Sequence, residues 1–362
     1  MMNNNPKYLS LFKDCIIVKG AVNSLFMDLT RESYFEFSTQ YYDILKSFET
    51  LPYDHVLDNN IENKDHVESL ADFLLENEYA QFVENPALFP DINEQYESSQ
   101  KIHTAIIVFD GSYSYSQLKD CIMSLDQLGC KHIELRLFVD FNKDLLDKTI
   151  SKYTFNFINS INLITRFDKK LKKKDYWKII EDFPIISNLF IHSAPLNERN
   201  AKSIGYGDIG KRNIIYTVQT INSNNDCGNI NADAFFKINL TQYLHNKNCN
   251  SCLYKKIAVD EKGNIKNCPS LENTFGNINT SSLNEIISTT EFDQLGSITK
   301  DSIKICSDCQ FKYLCFDCRA YLQNPDDLYS KPLKCGYDPY SDQWNDWKKM
   351  KQNTAAIKYY QL

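Results

Sequence analysis

Cysteines are concentrated in the last third of this 362-residue chain, and their spacing constrains the fold more than any other feature. Eight of the twelve cysteines lie between residues 249 and 335, and several are separated by only two residues. Eight thiols suit two four-ligand metal sites, because four thiolates are how proteins hold zinc or a [4Fe–4S] cluster. Closely spaced thiols also act as a chelate, since binding of one holds the next near the metal.

Disulfide bonds, zinc and iron–sulfur clusters are the three alternatives for these cysteines. Disulfides need an oxidising compartment, and residues 1–14 are largely polar, without the apolar segment of a secretory signal. Paired Cys-x2-Cys units are also the spacing of zinc ribbons. Zinc therefore stays open beside iron–sulfur, and the order of the residues favours iron–sulfur.

That order resembles the SPASM domain, the auxiliary-cluster domain of many radical SAM peptide-modifying enzymes. The family has a Cys, nine to fifteen residues, and Gly-x4-Cys, then a gap, Cys-x2-Cys-x5-Cys-x3-Cys and a last separate Cys. Here ten residues separate Cys252 from Gly263, which begins a Gly-x4-Cys motif. The later cysteines follow in the family order, with one departure: two residues, not three, separate Cys315 and Cys318.

The resemblance implies two [4Fe–4S] clusters, with zinc as the alternative metal. It assigns one cluster to Cys249, Cys252, Cys268 and Cys318, and the other to Cys306, Cys309, Cys315 and Cys335. Cys227, in an Asn-Asp-Cys-Gly sequence, is the alternative to Cys249 as the upstream ligand. Because Cys318 crosses from one half of the domain to the other, the metals would also stabilise its fold.

Length and charge limit the remaining possibilities. A chain of 362 residues is long enough for two or three domains, and we expect an α/β multidomain protein with domains at 1–95, 96–240 and 241–362. The formal charge of −7 argues against a nucleic-acid-binding protein. No apolar run approaches the ~18 residues of a membrane span, so no membrane partner is expected. A soluble, cytoplasmic and reduced protein is expected.

Residues 1–95 have the pattern of a small winged-helix-like domain. Strand-like runs begin at Cys15, Ser24 and Tyr34, and helical patterns follow at 41–48 and 66–82. This order resembles the RiPP recognition element, which binds the leader of a precursor peptide by adding it as a strand to the edge of its sheet. The expected edge strand is 33–38, and the expected peptide-binding residues are Tyr34, Phe35, Glu36 and Phe37. A winged helix without a ligand is the alternative.

Strand and helix patterns alternate from 96 to 240, which favours a mainly parallel sheet. Strands are expected at 104–109, 132–138, 155–165, 186–192 and 213–220, with helices at 115–128 and 176–182. The Gly-x-Gly-x2-Gly string at 205–210 is expected to be a loop and not a dinucleotide site, because a strand pattern follows it.

This middle segment resembles a degenerate partial radical SAM-type (β/α) barrel. The family places Cys-x3-Cys-x2-Cys after its first strand, but residues 110–116 contain no cysteine. It places Gly-Gly-Glu after the second strand, but residues 135–140 contain no glycine. The resemblance therefore implies a retained frame that does not use S-adenosylmethionine, and no catalytic residue is assigned.

The whole chain most resembles the SPASM domain peptide maturases of the grasp-with-spasm system. The stretches that carry this resemblance are residues 11–29 and 315–340. It implies maturation of a ribosomally synthesised peptide (a RiPP of the graspetide type), with the precursor peptide leader and an ATP-grasp ligase as partners. Two functions stay open. One is a leader-binding adaptor without radical SAM chemistry, and the other is an iron–sulfur enzyme that modifies the peptide by redox chemistry independent of S-adenosylmethionine.

Overall fold

The computed structural model describes residues 6–150, 154–203 and 211–362. The glycine-rich string at 205–210 lies outside the described residues. The strands are β1 (Tyr8–Leu11), β2 (Cys15–Val18), β3 (Asn23–Asp28), β4 (Ser33–Ser38), β5 (Ala80–Val83), β6 (Thr104–Phe109), β7 (His132–Leu137), β8 (Ser160–Arg166), β9 (Ile186–His192), β10 (Glu198–Ser203), β11 (Lys211–Tyr216), β12 (Lys256–Val259), β13 (Asn264–Lys266), β14 (Gly276–Asn277), β15 (Tyr337–Asp338) and β16 (Gln343–Trp344). The α-helices are α1 (Tyr42–Phe48), α2 (Tyr53–Asn59), α3 (Lys64–Glu76), α4 (Tyr115–Gln127), α5 (Lys143–Thr149), α6 (Lys173–Asp182), α7 (Leu240–Asn248), α8 (Leu283–Ile286), α9 (Thr290–Asp293) and α10 (Thr354–Tyr359).

A nine-stranded, mostly parallel sheet forms the centre of the protein, with strand order β10-β11-β9-β8-β7-β6-β12-β13-β14. The strands from β11 to β12 in this order are parallel to their neighbours, and β10, β13 and β14 are antiparallel additions at the two ends. Strands buried on both faces are recognisable as continuous apolar runs, and five of the six strands between residues 96 and 240 lie where the sequence predicts them. The mixed α/β class is confirmed.

The C-terminal third is built onto this same sheet. β12 pairs in parallel with β6, in a register that joins Ile257 to Ala105. Ile257, Val259 and Ile265 are buried in one hydrophobic core with the strands and helices of the middle segment. The sheet therefore continues across the predicted boundary at residue 240, and the cysteine-rich segment shares a core with the segment before it.

The N-terminal segment has an antiparallel sheet of order β2-β3-β4 followed by α1, α2 and α3. The expected helix at 66–82 is wrong at its C-terminal end, since α3 ends at Glu76. Glu78 has φ +55°, and the N–H of Tyr79 donates to Leu74 O at 2.8 Å, which closes the helix. The chain then forms β5, which pairs antiparallel with β1. The winged-helix assignment stays a prediction.

Both faces of the N-terminal sheet are covered. Phe26 and Phe35 pack in the core beneath the three helices. Val18, Leu25 and Met27 face the other way and pack against the cysteine-rich segment. The open edges of this sheet are therefore the positions at which another strand can be added. No helix in the described residues is long and apolar enough to cross a membrane.

Candidate metal centres

Four of the predicted ligands line a single small cavity in the C-terminal third. They are Cys306, Cys309, Cys315 and Cys335. The walls are mainly apolar and include Phe311, Tyr337 and Trp344. The structure therefore brings these four thiols together, in the grouping that the SPASM resemblance implies for one cluster. We call them the second thiol group, and we call the predicted ligands of the other cluster the first thiol group.

A buried lysine lies beside this second thiol group. Lys300 is 4% exposed, and its Nζ is 3.9 Å from Cys306 Sγ. Desolvation acts to lower the pKa of Lys300, but the nearby thiols of Cys306 and Cys315 raise it well above the ordinary value. Burial raises the pKa of Cys315 to about 12, and Lys300 opposes that rise. A cationic lysine in this position would offset the negative charge of thiolates bound to a metal.

The backbone before this group is strained. Ile305 has φ +68° and precedes Cys306 directly. A β-branched residue in this region is an outlier, at a cost on the order of 1–3 kcal/mol. Ile305 also lines the thiol cavity, so the strain accompanies the placement of a predicted ligand.

Three predicted ligands of the first thiol group also lie together. Cys268 and Cys318 are buried in one hydrophobic cluster with Leu253, and the half-buried Cys252 packs against it. Burial raises the pKa of Cys318 to about 12, and charges on Cys252 and Cys268 contribute to that rise. The Nζ of Lys256 donates to Cys252 Sγ at 3.5 Å, so this group also has a cation at hand.

A tight hairpin explains the glycine of the Gly-x4-Cys motif. Gly263 has φ +79° in the turn between β12 and β13, and its N–H donates to Asp260 O at 3.0 Å. A Cβ at this position would also lie 3.0 Å from Ile278 Cγ1. The turn reverses the chain, so that β13 runs back beside β12 and returns Cys268 to the neighbourhood of Cys252.

Cys249 and Cys227 occupy different surroundings. Cys249 is buried next to Tyr254, which hydrogen-bonds its thiol, and burial raises the pKa of Cys249 to about 11. The exposed Cys227 is one of the charged neighbours that add to the raised pKa of Cys252, for which burial is the main cause. Sequence spacing pairs Cys249 with Cys252, whereas the fold brings Gly228, the residue after Cys227, against Cys318.

An ionic network that the cysteine pattern did not reveal joins the two thiol groups. Asp317 is 1% exposed and accepts hydrogen bonds from Arg319 Nη2 at 2.7 Å and Asn250 Nδ2 at 2.6 Å. Lys300 Nζ lies 3.3 Å from the same carboxylate. Desolvation acts to raise the pKa of Asp317, but Lys300 and Arg319 lower it overall. The only sequence signal is a carboxylate within the shortened Cys315–Cys318 spacing.

The predicted peptide-binding residues lie on β4, an edge strand of the N-terminal sheet. Phe35 stacks on Phe26 with ring centroids 4.9 Å apart, and Phe37 packs in the same core. Tyr34 is 43% exposed. Glu36 accepts a hydrogen bond from Gln310 Nε2 at 2.8 Å. The two phenylalanines therefore support the domain's own core, while Tyr34 and Glu36 lie on the other face.

The loop after β6 does not fit the cluster that cleaves S-adenosylmethionine. Residues 110–116 contain no thiol. Tyr113 folds back from this loop, is 6% exposed, and donates its hydroxyl hydrogen to Val108 O at 2.6 Å. Cys121 and Cys130, on the following helix and turn, are core residues, and burial raises the pKa of each to about 12.

Within the described ranges 6–150, 154–203 and 211–362, no three His, Cys, Asp or Glu side chains are arranged to hold one metal ion. The ligand assignment therefore stays a prediction, and it rests on which thiols share a cavity or a hydrophobic cluster.

Comparisons with known proteins match one part of the chain to a family model. No curated protein matches the chain. Two solved structures that resemble it are those of Streptococcus suis SuiB bound to precursor peptide SuiA and of SuiB without it. The first has 9% identity and a TM-score of 0.33, and covers 89% of this chain and 98% of that chain. The second has 9% identity and a TM-score of 0.32, with the same coverage. Residues 249–310 match the SPASM family, an iron–sulfur cluster-binding domain.

Proposed function

We propose that this protein takes part in the maturation of a ribosomally synthesised peptide, as a leader-binding adaptor of an ATP-grasp ligase, and belongs to the grasp-with-spasm maturases. In this proposal residues 1–95 recognise the leader, 96–240 form a scaffold without radical SAM chemistry, and 241–362 carry two [4Fe–4S] clusters. One observation carries the proposal: the N-terminal sheet packs directly on the wall of the second thiol cavity, through Val18, Leu25 and Met27. The proposed recognition element and the proposed metal-binding element thus share a hydrophobic cluster.

The residues fit iron–sulfur clusters in number and chemistry. There are two groups of thiols, which are the usual ligands of such clusters. Each group has a lysine beside it, whose positive charge would offset the negative charge of a thiolate-ligated cluster. When bound, such clusters would crosslink distant parts of the segment and could exchange single electrons. The chain's own contribution is to gather the thiols and to offset their charge with Lys256 and Lys300.

The open edge of β4 supports leader binding by strand addition. The N–H of Thr39 donates to Val22 O at 3.0 Å, and bonded pairs alternate along antiparallel strands. Phe35 and Phe37 therefore bond to β3, whereas Tyr34 and Glu36 direct their backbone N–H and C=O groups outward. An extended leader could use these groups as a fourth strand.

A chain of hydrogen bonds leads from this edge to the thiol cavity. Gln310 Nε2 donates to Glu36 and also to the hydroxyl of Tyr337, the latter at 2.5 Å. Tyr337 in turn donates to Asp342 Oδ1 at 2.6 Å and lines the cavity of the second thiol group. A peptide bound at β4 would therefore contact residues that are hydrogen-bonded to the metal-binding segment.

Leader binding is tested by a pair of substitutions at one position. Tyr34→Pro removes an outward backbone N–H at a place where an edge strand tolerates proline, and Tyr34→Ala removes the side chain but keeps the N–H. Tyr34→Pro should bind the precursor peptide about tenfold more weakly than Tyr34→Ala, because it lacks the N–H donor and its proline ring crowds the added strand. Fluorescence anisotropy measures both affinities. Equal affinity of the two variants, with circular dichroism unchanged, would contradict strand addition at β4.

The adaptor role is tested with the ligase and the precursor peptide. The crosslinking yield of the ligase should rise when this protein is added, and Tyr34→Pro should reduce that gain. Incubated with the peptide alone, the protein should leave the peptide mass unchanged. A mass change without the ligase and without S-adenosylmethionine would instead support the iron–sulfur enzyme.

A further inference from the structure

We infer that Cys227, and not Cys249, is the fourth thiol of the first metal site, with Cys252, Cys268 and Cys318. The inference rests on the proposed function only in requiring that the cysteine-rich segment binds metal. Cys227 lies outside residues 249–310, which match the SPASM family. The site would therefore take a ligand from the segment that joins the central sheet to the SPASM domain.

The backbone beside Cys227 lies against Cys318. Gly228 has φ +87°, and a Cβ built on it would be 3.0 Å from Cys318 Sγ. A side chain at position 228 would thus be strained by its backbone and would press on the thiol. The absence of a Cβ lets this loop approach the thiol group closely.

Hydrogen bonds on both sides of Cys227 hold the loop in place. The Nζ of Lys334 donates to Cys227 O at 2.8 Å and also to Asn225 O. After the cysteine, the N–H of Ile230 donates to Lys334 O at 3.1 Å, and Ile230 forms a parallel bridge with Cys335. The loop is thus attached to the chain next to a ligand of the second group.

Further contacts attach the loop next to the other members of the first group. Tyr321, three residues after Cys318, donates its hydroxyl to Asn225 Oδ1 at 3.0 Å. Ser270, two residues after Cys268, donates to Asn224 O at 3.3 Å. Each of these anchors follows a predicted ligand closely in sequence, so the loop is positioned relative to the ligands themselves.

Cations surround the proposed site. Arg136, on β7, is 8% exposed and donates from Nη1 to Asn224 Oδ1 at 2.6 Å. Lys256 donates to Cys252. Arg136 thus holds the loop that carries Cys227, and Lys256 holds a thiol of the first group.

Cys249 has a different set of neighbours. Its N–H donates to His245 O at 2.8 Å, and its thiol is hydrogen-bonded to Tyr254. The ring of Tyr254 lies 5.7 Å from His245 and 5.6 Å from His103, measured between centroids. The neighbours of the Cys249 thiol are therefore Tyr254 and Lys255, and not the thiols of the first group, so the inference assigns Cys249 as a buried cysteine outside the metal site.

A matched pair of substitutions tests the inference. Cys227→Ser and Cys249→Ser are purified anaerobically beside the wild type, and iron, sulfide and zinc are counted per chain. We expect about eight irons in the wild type and in Cys249→Ser, but about four in Cys227→Ser; with zinc, two would fall to one. Wild-type metal content in Cys227→Ser, or half content in Cys249→Ser, would overturn the inference. A wild type without metal would instead refute the proposed clusters.

Alkylation provides a measurement that does not depend on how well the variants fold. Cys227 is exposed, so without a metal its thiol should react readily with iodoacetamide. In the native metal-bound wild type we expect Cys227 to be protected, and to become modified after treatment with a chelator, as read by mass spectrometry. Equal labelling of Cys227 before and after chelation would overturn the assignment.

Discussion

Replacing Asp317 by asparagine should destabilise the cysteine-rich segment strongly. The carboxylate is 1% exposed and is the shared partner of Arg319 and Lys300, which are themselves 3% and 4% exposed. Asparagine keeps the shape but removes the negative charge, so two buried cations lose their common counter-ion. Removing one partner of a buried ion pair costs about 3–5 kcal/mol, and we expect a loss of that size in the free energy of unfolding.

Urea unfolding followed by tryptophan fluorescence measures this loss, because Trp344 and Trp347 both lie in the affected segment. The matched control is Asp144→Asn, which removes an exposed partner of Lys148 at 2.9 Å. Exposed pairs contribute less than about 1 kcal/mol. If Asp317→Asn costs no more than this control, the buried network does not stabilise the fold and the reasoning is wrong.

The destabilisation caused by Asp317→Asn should also depend on pH. Because Lys300 and Arg319 lower the pKa of Asp317 in the folded protein, its contribution is fully present above the ordinary carboxyl value of about 3.9. The contribution is lost as the pH falls through the lower, folded value. The stability difference between wild type and Asp317→Asn should therefore be constant from pH 8 to about pH 5. A difference that shrinks within this range would contradict the lowered pKa.

Three further predictions concern the metal-binding segment. Gly263→Ala should lower the free energy of unfolding by about 1–2 kcal/mol more than Gly129→Ala. Both glycines have a positive φ, so that cost is shared, but only at position 263 would the added Cβ crowd a neighbouring side chain, at 3.0 Å; thermal denaturation measures the difference. Lys256→Met should weaken metal retention about tenfold, because a charged hydrogen bond to a ligand thiol is lost, and release of metal to a chelator measures it. Cys268→Ser and Cys309→Ser should each lose about one metal site and destabilise the C-terminal third, as measured by metal content and urea unfolding. Unchanged metal content and stability in both variants would contradict the ligand assignment.

The central sheet could be predicted from sequence because its signals are local. β6 is an apolar run, and such a run indicates a strand that is buried on both faces. β5 could not be predicted in this way, since its four residues continue the apolar pattern of the preceding helix. Its strand conformation depends on pairing with β1, which lies about seventy residues earlier in the chain. Pairing over such a separation leaves no periodic signal.

Tyr34, Phe35, Glu36 and Phe37 show a similar division. Alternating aromatic residues predict a strand, and the fold places that strand at a sheet edge. Which side chains face outward depends on the other elements: Phe73 of α3 packs on Phe35, and the cysteine-rich segment contacts Glu36 through Gln310. The sequence pattern predicts the strand, and packing decides which residues can meet a peptide.

The amino-acid sequence by itself determined that thiols would gather in the C-terminal third, since cysteines with only two to five residues between them cannot lie far from one another. It also determined the turn at Gly263, where only glycine suits the backbone without strain. Tertiary structure alone decided which distant segment lies beside each group. Cys227 is separated from Cys252 by twenty-four residues, and no spacing rule acts over that length. Its position depends on the contacts that Lys334 and Tyr321 make with its loop, and such contacts exist only once the chain has folded.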